Sequence, residues 1–205
     1  MKKESLLSLG TLIMAASIAA IAVTYAQTSQ SDFAGEPDHT MAASHESFVK
    51  GDTNKAAEQI QKAAVYVKKE SNEVAADAKE GVKKAADDLD RLGQDVKKGT
   101  VKSGDELKKA FAKVDHAIAE GWHKTAQEAK TSGKETDEAL GKAGAALDGA
   151  AKWSGTKLKE GAQSSVNALK KAGEKAGKGL KAGAKEVDSW FKDIGDGIKD
   201  VGRKL

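Results

Sequence analysis

The sequence predicts an all-α protein: long amphipathic helices forming an antiparallel hairpin or small bundle, followed by a Gly-rich amphipathic C-terminal helix. Three observations carry this. Alanine, lysine and glycine dominate a chain of 205 residues that has one proline and nine aromatic side chains (three Trp, two Tyr, four Phe). That mixture is poor in the β-branched and aromatic residues that favour strands. Apolar residues recur at steps of three and four along most of the chain, the period of one helix face. Serine, glycine and aspartate interrupt the pattern where helices start and stop. Because most apolar positions are alanine, each turn buries little area and the composition predicts a thin core.

The chain opens MKKESLLSLGTLIMAASIAAIAVTYAQ. Lys2 and Lys3 precede an apolar run from Leu6 to Val23, and Thr24 and Ala26 place small residues where a signal peptidase reads. Residues 1–26 are therefore read as a signal peptide, cleaved after Ala26. The alternative is an uncleaved anchor, for which this run barely reaches the ~17–18 residues needed. The expected location is periplasmic or secreted, with peripheral membrane attachment as a variant. No cysteine occurs, which excludes disulfides, thiolate metal sites, a cysteine nucleophile and a lipidated N-terminal cysteine.

Residues 27–36 read as a polar linker, and residues 37–153 as the hairpin or bundle. Pro37 suits a first helical turn. DHTMAASHESFVK runs to Lys50 and stops at Gly51, and Asp52 caps the next helix. Together with TNKAAEQIQKAAVYVKKE, it resembles the helical hairpins of tetratricopeptide-type repeats. It occurs once, and stacking folds of that kind need several units. The next helix is expected to run unbroken over 53–98. From Val74 its apolar positions are Val74, Ala78, Val82, Ala85, Leu89, Leu92 and Val96, steps that average about 3.67, the eleven-residue period. Gly99 ends it.

Three similar starts follow: SGDELKKA at 103, SGKETDEA at 132 and SGTKLKEG at 154. Ser103 with Glu106, and Ser132 with Glu135, make capping boxes, whereas the third start lacks the glutamate. They read as a weak repeat in which a Ser-Gly break, kink or turn, precedes an amphipathic helix. A helix over 104–130 would complete an up-down-up bundle.

Residues 154–205 form the Lys/Ala/Gly-rich tail. From Leu158 the apolar stripe continues through Val166, Leu169, Leu180, Val187, Phe191, Ile194, Ile198 and Val201 to Leu205. Gly161, Gly173, Gly177, Gly179 and Gly183 lie within it, each costing about 0.8–1 kcal/mol relative to alanine. A strong stripe with weak intrinsic propensity fits a helix that forms when its apolar face meets a surface. The eleven-residue periods over 74–98 and 158–205, rich in lysine, alanine and acids, resemble late-embryogenesis-abundant proteins and exchangeable apolipoproteins. The glycines and large aromatics depart from that pattern. The resemblance implies a chain partly disordered in water that becomes helical on lipid or on drying, with no active site.

Trp190, Phe191, Ile194, Ile198 and Val201 share one face of the tail and are the candidate surface anchors. Lys170, Lys171, Lys178 and Lys181 are the candidate electrostatic contacts, within a stretch (150–185) of nine lysines and two glutamates. The expected partner is an anionic membrane or envelope surface. The competing fate of such a stripe is packing on the protein's own bundle. Thirty-two of the 34 basic residues are lysine. With so little arginine for bidentate recognition, nucleic acid is not an expected partner.

His116, Glu120 and His123 lie on neighbouring turns of one helix face. Glu120 and His123 have the Glu-x-x-His spacing of carboxylate-bridged metal bundles, which also need further glutamates from other helices. No nucleophile elbow, P-loop or dinucleotide fingerprint occurs, and no cofactor is expected. The sequence thus reads as an exported, non-enzymatic helical protein that binds envelope or membrane surfaces, with stress protection as the associated role. One alternative is a periplasmic protein-interaction module using Phe111, Val114, Ile118 and Trp122. The second is a His/carboxylate metal-binding bundle.

Overall fold

The computed structural model describes residues 35–131, 136–174 and 184–205. Within them lie seven helices and no strand: α1 (Asp38–Val49), α2 (Thr53–Glu70), α3 (Lys79–Lys97), α4 (Gly104–Thr131), α5 (Asp137–Ser154), α6 (Glu160–Glu174) and α7 (Ala184–Gly202). The all-α class is as expected. The signal segment, the second capping box, and Lys178 and Lys181 fall outside the described residues. No described helix is long and apolar enough to cross a membrane.

Three helices end in the same way. Gly51, Gly99 and Gly155 have φ of +84°, +69° and +66°. After each glycine the next N–H reaches back across the helix end, from Asp52 to Ser47 O, Thr100 to Asp95 O and Thr156 to Ala151 O. This is the Schellman closure, which glycine alone makes without strain. The break at 154 is therefore a turn and not a kink. Asp52 Oδ1 accepts from the Lys55 N–H at 3.1 Å, as expected of a cap. Ser103 Oγ accepts from the Glu106 N–H at 3.3 Å, and the Glu106 carboxylate takes the Lys102 N–H at 3.4 Å.

Two expectations change. The helix over 53–98 is folded into an α2–α3 hairpin, in which Gly93 of α3 faces Ala57 and Ile60 of α2. At its corner Ser71 Oγ and Asn72 Nδ2 both donate to the Lys68 carbonyl, at 2.7 and 3.2 Å, side-chain bonds that compete with the helical ladder. The next residues are held by α4. The Ala75 N–H donates to Thr125 Oγ1 at 2.7 Å, and Val74 packs over Gly121, where a Cβ would lie 3.2 Å from Val74 Cγ1. Val74 is thus a corner plug, not the start of a straight stripe.

The stripe from 158 to 205 is likewise not one helix. α6 and α7 fold back on each other: Ser165 Oγ donates to Asp193 Oδ2 at 3.0 Å, and a Cβ on Gly197 would lie 3.0 Å from Ala162 Cβ.

One continuous apolar cluster runs from Met41 of α1 to Val201 of α7. Its largest fully buried members include Met41, Ile60, Leu89, Phe111, Leu147 and Ile194. The seam expected to meet a protein partner, Phe111, Val114, Ile118 and Trp122, is buried in this cluster. Those four side chains hold α4 to its neighbours, and Val114 also borders an open groove beside α3.

Candidate functional site: the C-terminal helix and its seat

The tail helix α7 turns its apolar face inward. Trp190, Phe191, Ile194, Ile198 and Val201 are at most 9% exposed, seated against α4, α5 and α6. Of the two fates expected for this face, a lipid surface or the protein's own bundle, the structure shows packing on the bundle. The magnitudes explain why. Placing Gly195, Gly197 and Gly202 in a helix costs about 3 kcal/mol together. Burying each of the five apolar side chains contributes about 1.5–3 kcal/mol. Apolar burial thus outweighs the helix cost of these glycines.

The glycines mark the closest approaches. His123 Nε2 lies 3.0 Å from the Phe191 carbonyl oxygen, and His116 Nε2 lies 3.0 Å from that of Ile198. A carbonyl only accepts, so both imidazoles carry the proton on Nε2. Each contacted carbonyl stands four residues before a glycine, Gly195 or Gly202. A Cβ on Gly195 would meet His123 at 3.1 Å, and one on Gly202 would press still closer on His116. The two histidines, the two carbonyls and the two glycines are each seven residues apart, so a single contact is made twice along the α4–α7 seam. On another wall a Cβ on Gly197 would fall 2.8 Å from Leu147 Cδ2 and 3.0 Å from Ala162 Cβ.

These contacts use the residues singled out for metal. His116 Nδ1 is 3.9 Å from Glu120 Oε2, but both Nε2 atoms serve α7. Among the described residues no group of three or more His, Cys, Asp or Glu could hold a metal ion. Of the candidate lysines, Lys170 is paired with Asp148 at 2.6 Å and Lys171 is exposed. The edges of α7 carry ion pairs: Lys130 with Asp188, Lys159 with Asp200 at 2.5 Å, and Asp200 with Arg203 just past the helix end. The Lys130 ammonium also lies 5.0 Å from the centre of the Phe191 ring.

The most perturbed groups were not foreseen. Asp115 of α4 is fully buried and faces Asp38 of α1 across Gly149 of α5. A Cβ on Gly149 would lie 2.5 Å from Asp115 Oδ2 and 2.9 Å from Asp38 Oδ2. Neither Asp115 oxygen meets a donor among the described residues. Burial, and then the charge of Asp38, hold the Asp115 carboxyl well above the usual carboxylate range. Burial also raises Asp38, opposed by hydrogen bonds from Asp115 and Trp153 and by the charge of Lys152. Trp153 Nε1–H donates to Asp38 Oδ1 at 3.0 Å. Two adjacent buried carboxylates resist double ionisation, so the pair holds on to a proton that the unfolded chain would release.

A carboxyl pair of this kind can perform acid–base chemistry where substrate reaches it. Here Asp115 is 0% and Asp38 8% exposed, and the Trp153 ring closes the site, packed edge-on against Phe111 with centroids 5.1 Å apart. The pair is a polar tie between α1, α4 and α5. The sequence did hold a signal for it: Asp115 stands four residues after Phe111 and three before Ile118, at a position the stripe reserves for an apolar side chain.

Elsewhere, an open groove of about 480 Å³ runs between α3 and α4, lined by Ala85, Leu89, Val114 and Ala117 with Lys84 and Lys109 beside them. No family model matches the chain, and neither curated proteins nor solved structures give a significant match.

Proposed function

We propose that this is an exported, non-enzymatic helical bundle that carries a surface-binding helix stowed against itself and transfers it to an anionic envelope or membrane surface. The observation that carries the reading is α7: a terminal helix whose apolar, aromatic face occupies a discrete seat on α4, α5 and α6. Its outer edge contact, Lys130–Asp188, is about half exposed on both sides. Exposed ion pairs contribute only about 0–1 kcal/mol each. The docked state is therefore held mainly by apolar burial, which a lipid interface can replace. The lysine excess over 150–185 would draw the bundle toward such a surface.

The test uses protein purified after export, with phosphatidylglycerol vesicles. It is compared with the Lys130→Cys/Asp188→Cys variant joined by a short thiol-to-thiol cross-linker. The chain has no cysteine of its own, so only that pair reacts. The expected result is flotation of the free protein with the vesicles and roughly tenfold weaker binding once α7 is locked, the equivalent of about 1.4 kcal/mol. Equal binding by locked and free protein would contradict release. If vesicles change nothing in either form, the α3–α4 groove becomes the surface to pursue, as a protein-interaction module.

A further inference from the structure

We propose, resting on that reading, that a basic lip around Asp200 is the contact for anionic lipid headgroups and that headgroup binding there unlatches α7. Lys157, Lys159, Arg203 and Lys204 line one small cavity of about 170 Å³ together with Asp200. Four cations thus surround one carboxylate at the C-terminal end of the stowed helix.

The arrangement is asymmetric in access. Lys159 and Arg203 are 75% and 72% exposed, whereas the Asp200 side chain that pairs with them is 16% exposed. Asp200 Oδ2 is shut off from solvent, and the one cation touching it is the Lys159 ammonium, 2.5 Å away. Lys157 and Lys204 are exposed and pair with no carboxylate among the described residues. Two cations therefore stand free at the mouth, and two more are shared with an acid that cannot follow them outward.

A headgroup phosphodiester entering between Lys157 and Lys204 competes with Asp200 for Lys159 and Arg203. When it takes both Lys159 and Arg203, the Asp200 carboxylate, only 16% exposed, is left charged and without a cation. A buried acceptor stripped of its partner favours whichever state returns it to water. That state has the C-terminal end of α7 lifted, and this end includes Ile198, whose carbonyl His116 holds, and Gly202 beneath the same ring. Headgroup occupancy and α7 docking thus oppose each other, and a ligand that prefers the released state shifts the population toward it.

The test compares the parent protein with Lys157→Glu/Lys204→Glu, which touches no ion pair of the docked helix. Each is taken in free form and with the N-terminal end of α7 tethered to α4 by the 130–188 cross-link, which permits fraying of the lip end but not full release of the helix. Flotation is measured with phosphatidylglycerol and phosphatidylcholine vesicles, and thermal shift with phosphatidylglycerol vesicles and with inorganic phosphate. The expected result is an unchanged melting temperature and a loss of roughly tenfold in phosphatidylglycerol affinity in both forms, since the lip acts before release. Phosphatidylcholine should bind neither protein.

Asp200→Ala frees the two shared cations and should raise affinity several-fold more than Asp196→Ala, an exposed acid of the same helix outside the lip. Equal effects of Asp200→Ala and Asp196→Ala would reduce the lip to diffuse charge and overturn the proposal. So would unchanged vesicle affinity in the double variant; if the cross-link still weakens binding in that case, release survives and the lip alone fails. A melting-temperature drop with inorganic phosphate as large as that with vesicles would assign the site to free anions and overturn the lipid assignment.

Discussion

Burial, and then the charge of Asp38, hold the Asp115 carboxyl protonated well above the usual carboxylate range, while Asp38 takes the Trp153 N–H. The sign of the pH dependence follows. The folded protein holds a proton that the unfolded chain releases in the ordinary aspartate range, near pH 4. The pair's contribution is therefore full below that range and declines as pH rises toward the raised folded value. An asparagine at this position mimics the protonated acid, its amide donating to Asp38. Asp115→Asn is expected to stabilise the protein by about 1–3 kcal/mol near neutral pH and to flatten the decline with pH. Urea unfolding at pH 5 and pH 8 measures this, and parallel pH dependence in parent and variant would refute the retained proton.

At the scale of elements, local chemistry was readable and tertiary chemistry was not. Gly51 and Gly99 announce their helix ends because the left-handed closing residue is a property of a few adjacent residues. The corner at 71–78 has no glycine or proline to announce it. It is made by Thr125, fifty residues on, which accepts the Ala75 N–H at 2.7 Å and donates to Gly121 O at 2.9 Å. Ser71 and Asn72, which bond back to the Lys68 carbonyl, are a local sign of the corner, but the Thr125 contact that fixes it lies outside 53–98, so the stripe reads as one helix. Thr125→Val would leave a buried N–H without an acceptor and is expected to cost about 1–3 kcal/mol. Hydrogen exchange should show the loss first at Ala75. Protection unchanged there would mean that the corner is held by Val74 packing alone.

For the whole molecule, the amphipathic period of the tail was legible, but the surface it meets was not. A stripe records that a helix has an apolar face and says nothing about what covers it. The seat is assembled from α6, which precedes α7, and from the more distant α4 and α5, and its fit shows only in the glycines. Gly197 faces Leu147 and Ala162, and Gly195 and Gly202 face His123 and His116. In the sequence these glycines look like flaws in a helix, but in the fold they are the clearance that lets α7 lie down.

The central claim is that α7 is stowed in the core in water, and Gly197→Ala tests it most directly. Helix propensity alone makes this substitution stabilising by about 0.8–1 kcal/mol. In the docked helix the new methyl meets Leu147 Cδ2 at 2.8 Å and Ala162 Cβ at 3.0 Å, an overpacking that costs about 1–3 kcal/mol. Urea unfolding without lipid is expected to show a lower midpoint for the variant with an unchanged slope. A midpoint that stays level or rises, with helicity gained, would mean that α7 is free of its seat in water and would contradict the account.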